Sequence, residues 1–400
     1  MKEMSIHTIE ECFYQIRNGA NIKQGVVDGG YPITRIETIA NDKFNRDRMG
    51  YAGITDIKRY ESYVLEEGDL LMSHINSVQY LGRTVLYEKQ GDEIIIHGMN
   101  LLGMKANRDI LRPAYARYYF YSRPFKEQVS KITKKSVNQA SFAVADLKKI
   151  KIKVPDLEAQ KKVVEILNRL NCVIEERQQE LKKMDDLIKA RFIEMFGDSV
   201  SNSKNLPVKP MTEVCEIIDG DRGKNYPTQE EFSDEGYCLF LNAKNVTVNG
   251  FSFENCMFVT KEKDEILRKG HLNRGDVVLT TRGTIGNLAF YDESVPFENV
   301  RINSGMVILR MNHEILSEHF FIEQFKMQLG SIKKKIASGS AQPQLPISTM
   351  NKIVVLMPPV EQQQVFTGFV RQIDKSKVAI QAALDKTQLL FDSLMQKYFG

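Results

Sequence analysis

Paired cysteine motifs are missing from this sequence. The five cysteines, Cys12, Cys172, Cys215, Cys238 and Cys256, are odd in number, form no C-x-x-C and show no paired spacing. That pattern argues for reduced thiols in a reducing compartment and against a structural zinc site. Nowhere do 18 apolar residues run together, and the opening MKEMSIHTIEECF has no apolar signal-type core, so a cytoplasmic protein with no membrane partner is expected. An excess of one charge is missing too. With 55 basic and 51 acidic side chains the formal net charge is only +4, so a polyanion-binding role has to rest on local basic clusters.

Catalytic constellations are equally scarce. There is no G-x-x-x-x-G-K-[ST] phosphate loop; GDRGKNYP at Gly220 lacks both the spacing and the hydroxyl. His313 and Glu314 open HEILSEH, but the second histidine, His319, stands six residues on, out of step with zinc ligands on one helical face. No Asn-Pro-Pro-aromatic tetrad of the amino-methyltransferases is present; MPPVE at Met357 reads as a strand end. Asp156 with Glu180-x-Lys182 formally matches a nuclease pattern, but the residues fall on a long helix, where a solvated face is the simpler reading. The six histidines nominate no Ser-His-Asp order. The chain reads as a binder without an active site of its own.

What is present is a repeat. Residues 149–197 and 352–400 superpose at a constant offset of 203 positions without a gap, with eleven identities in 49 positions, among them Pro155/Pro358, Glu158/Glu361, Gln160/Gln363, Phe196/Phe399 and Gly197/Gly400. Each copy opens as a strand, Lys149 to Val154 alternating polar and apolar, and is stopped by proline. A long helix follows, whose apolar positions step by four and three. The first seam is Val163, Leu167, Leu170, Ile174, Arg177, Leu181, Met184, Ile188, Arg191 and Met195. The second is Phe366, Val370, Ile373, Lys377, Ile380, Leu384, Thr387, Phe391, Leu394 and Tyr398. A sustained spacing of about 3.5 with charges between is a coiled-coil seam, and the natural partner of one helix is the other.

With 42% apolar residues the chain can build two cores. The expected class is α+β, with two similar globular domains separated by two long helices in an antiparallel coiled coil. The expected divisions are 1–153, a helical spacer 154–197, a Ser/Asn-rich linker 198–206, a second domain 207–356 and a second spacer 357–400. YPITRIETI (residues 31–39) alternates like a strand and corresponds to CLFLNAKNV in the second half. GDLLMSHINSVQYLGRTVLYE corresponds to GDVVLTTRGTIGNLAFYDE, with a loop three residues shorter in the second copy. Scaffold segments agree while loops differ, as expected for one task performed on two targets.

Candidate DNA contacts lie in those loops. Lys134, Lys135, Asn138 and Gln139 of KITKKSVNQ recur as Lys334, Lys335, Ser338, Ser340 and Gln342 of IKKKIASGSAQ. Lysines neutralise phosphates, and Asn or Gln amides match the donor and acceptor of an adenine edge. Arg282 and Thr284 sit in the glycine-flanked TTRGT, and arginine is the usual reader of guanine. Arg46 and Arg48, Ser73, His74 and Asn76, and Arg222 and Lys224 complete the set. For any one of these residues a solvated basic loop, or for Arg282 a tight turn between strands, is an equally good reading; recurrence in both halves favours DNA.

The order of variable domain, strand, Pro-x-x-Glu-x-Gln, long helix ending in Phe-Gly, and then all of it again, with the phrase GDVVLTTRGTIG, resembles the specificity (S) subunits of type I restriction-modification systems. The resemblance spans the whole chain. It implies that each variable domain reads one half of a bipartite, asymmetric site in double-stranded DNA. It also implies that the helices pair antiparallel and dock two methyltransferase subunits, which restriction subunits join. No cofactor belongs to this chain on that view; S-adenosylmethionine and ATP belong to the partners. One departure is HINSVQYLG in the first half, where the family phrase has Arg-Gly-x-x-Gly. Two other readings stay open, a coiled-coil scaffold that never touches DNA and a DNA-modifying enzyme.

Overall fold

The computed structural model describes residues 4–25, 29–137, 139–337 and 344–400. The chain folds as two compact units, Met1–Gln178 with Ala382–Gly400, and Gln179–Gln381. Each contains one β-rich domain, the start of one long helix and the end of the other.

In the first unit a four-stranded antiparallel sheet runs in the order Phe13–Asn18, Leu102–Ala106, Leu70–Met72, Thr84–Leu86. The second unit repeats that order with Cys215–Asp219, Met306–Met311, Val277–Thr280 and Leu288–Phe290. Both faces of each sheet are covered, which is why the inner strands read as continuous apolar runs. Alternate side chains part to opposite sides: Val277, Leu279, Val307 and Leu309 enter the core shared with the long helices, while Val278 and Ile308 enter the core beneath the loops. Leu70, Met72, Leu102 and Met104 part from Leu71 and Val85 in the same way.

The stretch YPITRIETI is not a strand. Ile33 makes isolated bridges to Gly50 and Ile96, and Ile36–Asp42 is 3-10 helical with a break at Ile39, Ala40 and Asn41. Thr38 explains the change: its hydroxyl accepts from the Arg35 amide at 2.8 Å and donates to the Arg48 carbonyl at 3.0 Å, an alternative to ladder bonding typical of Thr. Asn41 and Asp42 then take positive φ, 57° and 59°, a bend no strand tolerates.

The long helices are Leu157–Phe196 and Val360–Phe399, 40 residues each. Asp156 caps the first by accepting from the Ala159 amide at 2.8 Å. Every seam position, from Val163, Leu167, Leu170 and Ile174 through Leu181, Met184 and Ile188, is buried or half-buried, as are Phe366, Val370, Ile373, Ile380, Leu384, Phe391 and Leu394. The helices pack together antiparallel within each unit. In the first unit Arg177 donates to the Thr387 hydroxyl, while Val163 and Leu167 share a core with Phe391, Leu394 and Phe399. In the second, Lys377 pairs with Asp185 at 2.6 Å, while Phe366 meets Phe192 and Phe196 at 5.5 and 5.6 Å between ring centroids. Arg177, Lys377 and Thr387 are thus partnered across the seam, whereas Arg191 pairs with Glu194 of its own helix at 2.7 Å.

The repeated glutamine explains the Pro-x-x-Glu-x-Gln motif. Gln160 is fully buried; its carbonyl accepts from the Arg112 amide at 2.8 Å, and its NH2 donates to the carbonyls of Ile110 and Pro155, both at 2.8 Å. Gln363 does the same with the Ser317 amide at 2.9 Å and the carbonyls of Ile315 and Pro358 at 3.1 and 2.9 Å. One side chain joins the turn before the aromatic helix to the root of the long helix. Gln363→Ala is expected to strand a buried amide and two carbonyls and cost at least about 2 kcal/mol, each such group being worth roughly 1–3. Urea unfolding measures the loss; a change within about 0.5 kcal/mol, the scale of a neutral surface mutation, would show that the clamp is dispensable.

Candidate nucleic-acid interface

One end of each sheet carries the variable loops. In the second unit the registers Asp219↔Val307, Thr280↔Met306 and Leu279↔Leu288 bring residues 220–225, 281–287 and 303–305 to that end. Backbone bonds tie them together: the amides of Thr281 and Arg282 donate to the Gly305 carbonyl at 2.8 and 3.2 Å, and Arg282 bridges to Gln344. Arg222 donates to the Asp219 carboxylate at 3.0 Å and to the Ser304 carbonyl at 3.3 Å. Asp221 fixes the first loop from within, accepting from the amides of Gly223 and Arg268, both at 2.9 Å; these bonds hold its carboxyl below the usual pKa. Arg222, Lys224, Arg282 and Thr284 are left exposed around this frame. The result is a positively charged rim on loops tied together by backbone hydrogen bonds.

The first unit builds the same frame with other side chains. Ser73 occupies the place of Thr280: the Ser73 amide donates to Arg83 and its carbonyl accepts from Gly82, as Thr280 does with Asn287 and Gly286. Counting on, Ile75 stands where Arg282 stands, and it pairs with Ser141 as Arg282 pairs with Gln344. Two expected contacts prove to be interior. Ser73 is fully buried, and His74 is 6% exposed against Phe142, its imidazole pKa lowered by burial. The chain leaving strand Leu70–Met72 turns these two residues inward, which the alternation of a polar loop does not reveal. Asn76 is half-buried and donates to the Ser73 hydroxyl at 3.3 Å. Lys134 and Lys135 are exposed, though not in a loop: they form a short strand against Ala140–Ser141, whose other edge holds Ile75–Asn76. Gln139, beside them, is exposed, as are Arg48, Lys334 and Lys335, the last two at the end of helix Glu318–Ala337. Asn138, Ser338, Ser340 and Gln342 lie outside the described residues.

A second repeated loop escaped the sequence reading. Residues 19–24 are GANIKQ and residues 220–225 are GDRGKN, a glycine, three residues, a lysine and an amide. Both follow the first sheet strand, and the glycines are forced: a Cβ on Gly19 would lie 2.3 Å from the Gly98 carbonyl oxygen, and one on Gly220 would lie 2.3 Å from that of Asn303. The offset between them is 201 rather than 203, so the gapless alignment of the helices passes over them. Among the described residues no group of three or more His, Cys, Asp or Glu could hold a metal, and no helix is long and apolar enough to cross a membrane.

A family described as type I restriction modification DNA specificity domain matches residues 2–183 and 204–388. The putative type I restriction enzyme MjaX specificity subunit of Methanocaldococcus jannaschii is 27% identical over 389 residues, covering 93% of this chain and 87% of the relative. The MjaIX specificity subunit of the same organism is 21% identical over 391 residues, covering 92% and 86%. Among solved structures, the type I restriction-modification S subunit from M. genitalium shares the fold with a TM-score of 0.60 at 15% identity, over 100% of this chain and 96% of that one. A chain from a study of complex assembly in the type I system gives 0.53 at 16% identity, over 100% and 98%.

Arg46 is committed elsewhere. Its guanidinium grips Glu93 at 2.9 and 2.6 Å and the Glu88 carbonyl at 2.8 Å, and the Tyr87 hydroxyl donates to the same Glu93 carboxylate at 3.0 Å. The Arg46 hydrogen bonds, chiefly, pull the Glu93 carboxyl from 4.5 down to about 2. A carboxyl with a depressed folded pKa stabilises fully above its unfolded value and loses that contribution as pH falls. The first unit is therefore expected to lose stability between about pH 4.5 and about 2. Arg46→Ala should remove most of this pH dependence, as followed by thermal unfolding against pH. An unchanged profile would show that the pair does not hold the loop.

Proposed function

The chain belongs to the type I restriction-modification DNA specificity family, and from that premise we propose that each unit reads one half of a bipartite, asymmetric DNA site. The protein is the DNA specificity subunit of such a system, and the family is non-catalytic. The observation that carries the finer reading is the duplicated loop-bearing sheet end, one frame with two sets of outward side chains, Arg282 in one unit and Ile75 in the other. Identical frames with different faces suit two different half-sites. Lys134, Lys135, Lys334 and Lys335 contribute sequence-independent phosphate attraction, Arg222, Lys224 and Arg282 face the second half-site, and the paired helices set the spacing.

Two methyltransferase subunits dock on the helices in this reading, restriction subunits join them, and S-adenosylmethionine and ATP are bound by those partners. Leu187 and its repeat counterpart Leu390 support it: they are identical in the two copies yet 48% and 49% exposed, off the seam that pairs the helices. An apolar residue kept on the outer face at equivalent places offers two equivalent patches to two copies of one partner.

Two measurements test this. Changing Lys134, Lys135, Lys334 and Lys335 together to Ala is expected to weaken binding to all duplex sequences alike and flatten the dependence of log K on log salt, by at most about 0.9 per lost contact. An unchanged slope would remove these lysines from the interface. Leu187→Asp and Leu390→Asp, made singly, are each expected to leave one methyltransferase subunit bound instead of two, read by the mass of the purified complex. Two bound subunits in both variants would place docking elsewhere.

A further inference from the structure

We propose that Gln24 reads an adenine in the half-site of the first unit, an assignment that rests on the DNA-reading role above and names its chemistry. Ile75, in the place of Arg282, has no hydrogen-bonding group to offer a base edge, so the first unit has to read with another residue at the same end of its sheet. That end holds a concavity of about 230 Å³ lined by Gln24, Thr34, Arg35, Glu37, Met99 and Asn100. Gln24 arrives there on the glycine-anchored loop that places Asn225 in the second unit, so the amide after the lysine is common to both frames.

The hydrogen bonding of Gln24 marks it out among these residues. Its NH2 makes one long bond, 3.4 Å, to the Thr34 carbonyl, and its own carbonyl oxygen is buried without a partner among the described residues. The oxygen rests against Gly50, where a Cβ would lie 1.8 Å away. Compare Gln160 and Gln363, whose amides make three bonds each and are fixed. An amide with an orphaned acceptor and one stretched donor bond loses little by swinging outward, and an adenine edge returns a donor to its oxygen and an acceptor to its nitrogen at once. Exposed Lys23 and Arg35 flank it with positive charge for the neighbouring phosphates; Glu37, the one carboxylate among the described lining residues, lies 3.7 Å from the Arg35 guanidinium. Thymine, cytosine and guanine each present either a donor or acceptors there, and adenine alone presents both.

The test uses the full chain assembled with its methyltransferase subunits, with methylated sites mapped on a randomised duplex library and the two halves of the site scored separately. Gln24→Ala, and Gln24→Met, which keeps the volume, are each expected to lower the preference for adenine at one position of the first half by about ten- to a hundred-fold, the scale of one bidentate pair, and to leave the second half intact. The intact second half certifies assembly in the same sample. An unchanged first half, a lost preference for another base, or failure of both variants to assemble would overturn the assignment. Arg282→Ala in parallel separates the two levels. If it alters only the second half while the Gln24 variants alter nothing, this inference alone fails. If no variant changes one half independently of the other, the half-site reading fails with it.

Discussion

Phe399 is buried against Tyr115 and Tyr119, at 5.0 and 6.3 Å between ring centroids, and Phe196 is buried against Phe320 and Phe366, at 4.8 and 5.6 Å. Each phenylalanine ends a helix that begins in the other unit. The core of either β-rich domain is therefore completed by chain from the opposite half of the sequence, and burying a ring of this size is worth several kcal/mol, about 3–5 when it is cut to alanine. Neither half carries a closed core on its own stretch of sequence. The glutamine clamps secure the helix roots in the same two places where the phenylalanines secure the ends, so both termini of each helix are set by side chains that the repeat retains.

That arrangement explains what was legible in the sequence and what was not. The seam could be read because a 3.5-residue period writes itself in apolar spacing, and Pro-x-x-Glu-x-Gln could be found because it recurs. Phe192 falls off the seam and yet is fully buried, packing on Phe320 of the domain at 5.4 Å as well as on Phe366 of the partner helix at 5.5 Å; a coiled-coil template has no place for it. Arg46 looked like a free basic residue because Glu93, its partner, is 47 positions away. Ser73 and His74 looked like a polar loop because nothing local says that the frame turns them inward. The Gly-x-x-x-Lys-amide loop was hidden by a two-residue change of offset.

Separation of frame from face lets one fold carry different outward side chains in its two copies. The loop ends are joined through backbone groups, Gly82 to Ser73 and Gly286 to Thr280, Gly19 against Gly98 and Gly220 against Asn303. Backbone bonds are indifferent to the side chains that project outward between them. Isoleucine and arginine can occupy one place in the two copies because, among the described residues, neither contributes a side-chain bond to the frame that holds it.

The opposite end of each sheet shows the converse arrangement of charge. There the repeated Gly-Asp pairs, Gly68-Asp69 and Gly275-Asp276, open the strand with a positive φ of 90° and 94°. Each aspartate accepts from the amide three residues before it, at 2.9 and 2.7 Å, and pairs with a cation, Lys105 at 3.1 Å or Arg310 at 2.8 Å. These charges are spent in hydrogen-bonded pairs within the protein and are unavailable to a ligand. At the loop end Lys23, Lys224 and Arg282 stay exposed. A chain whose net charge is only +4 can in this way present a cationic face: pairing cancels the field at one end of the sheet and leaves it at the other, and a polyanion responds to that local field rather than to the sum.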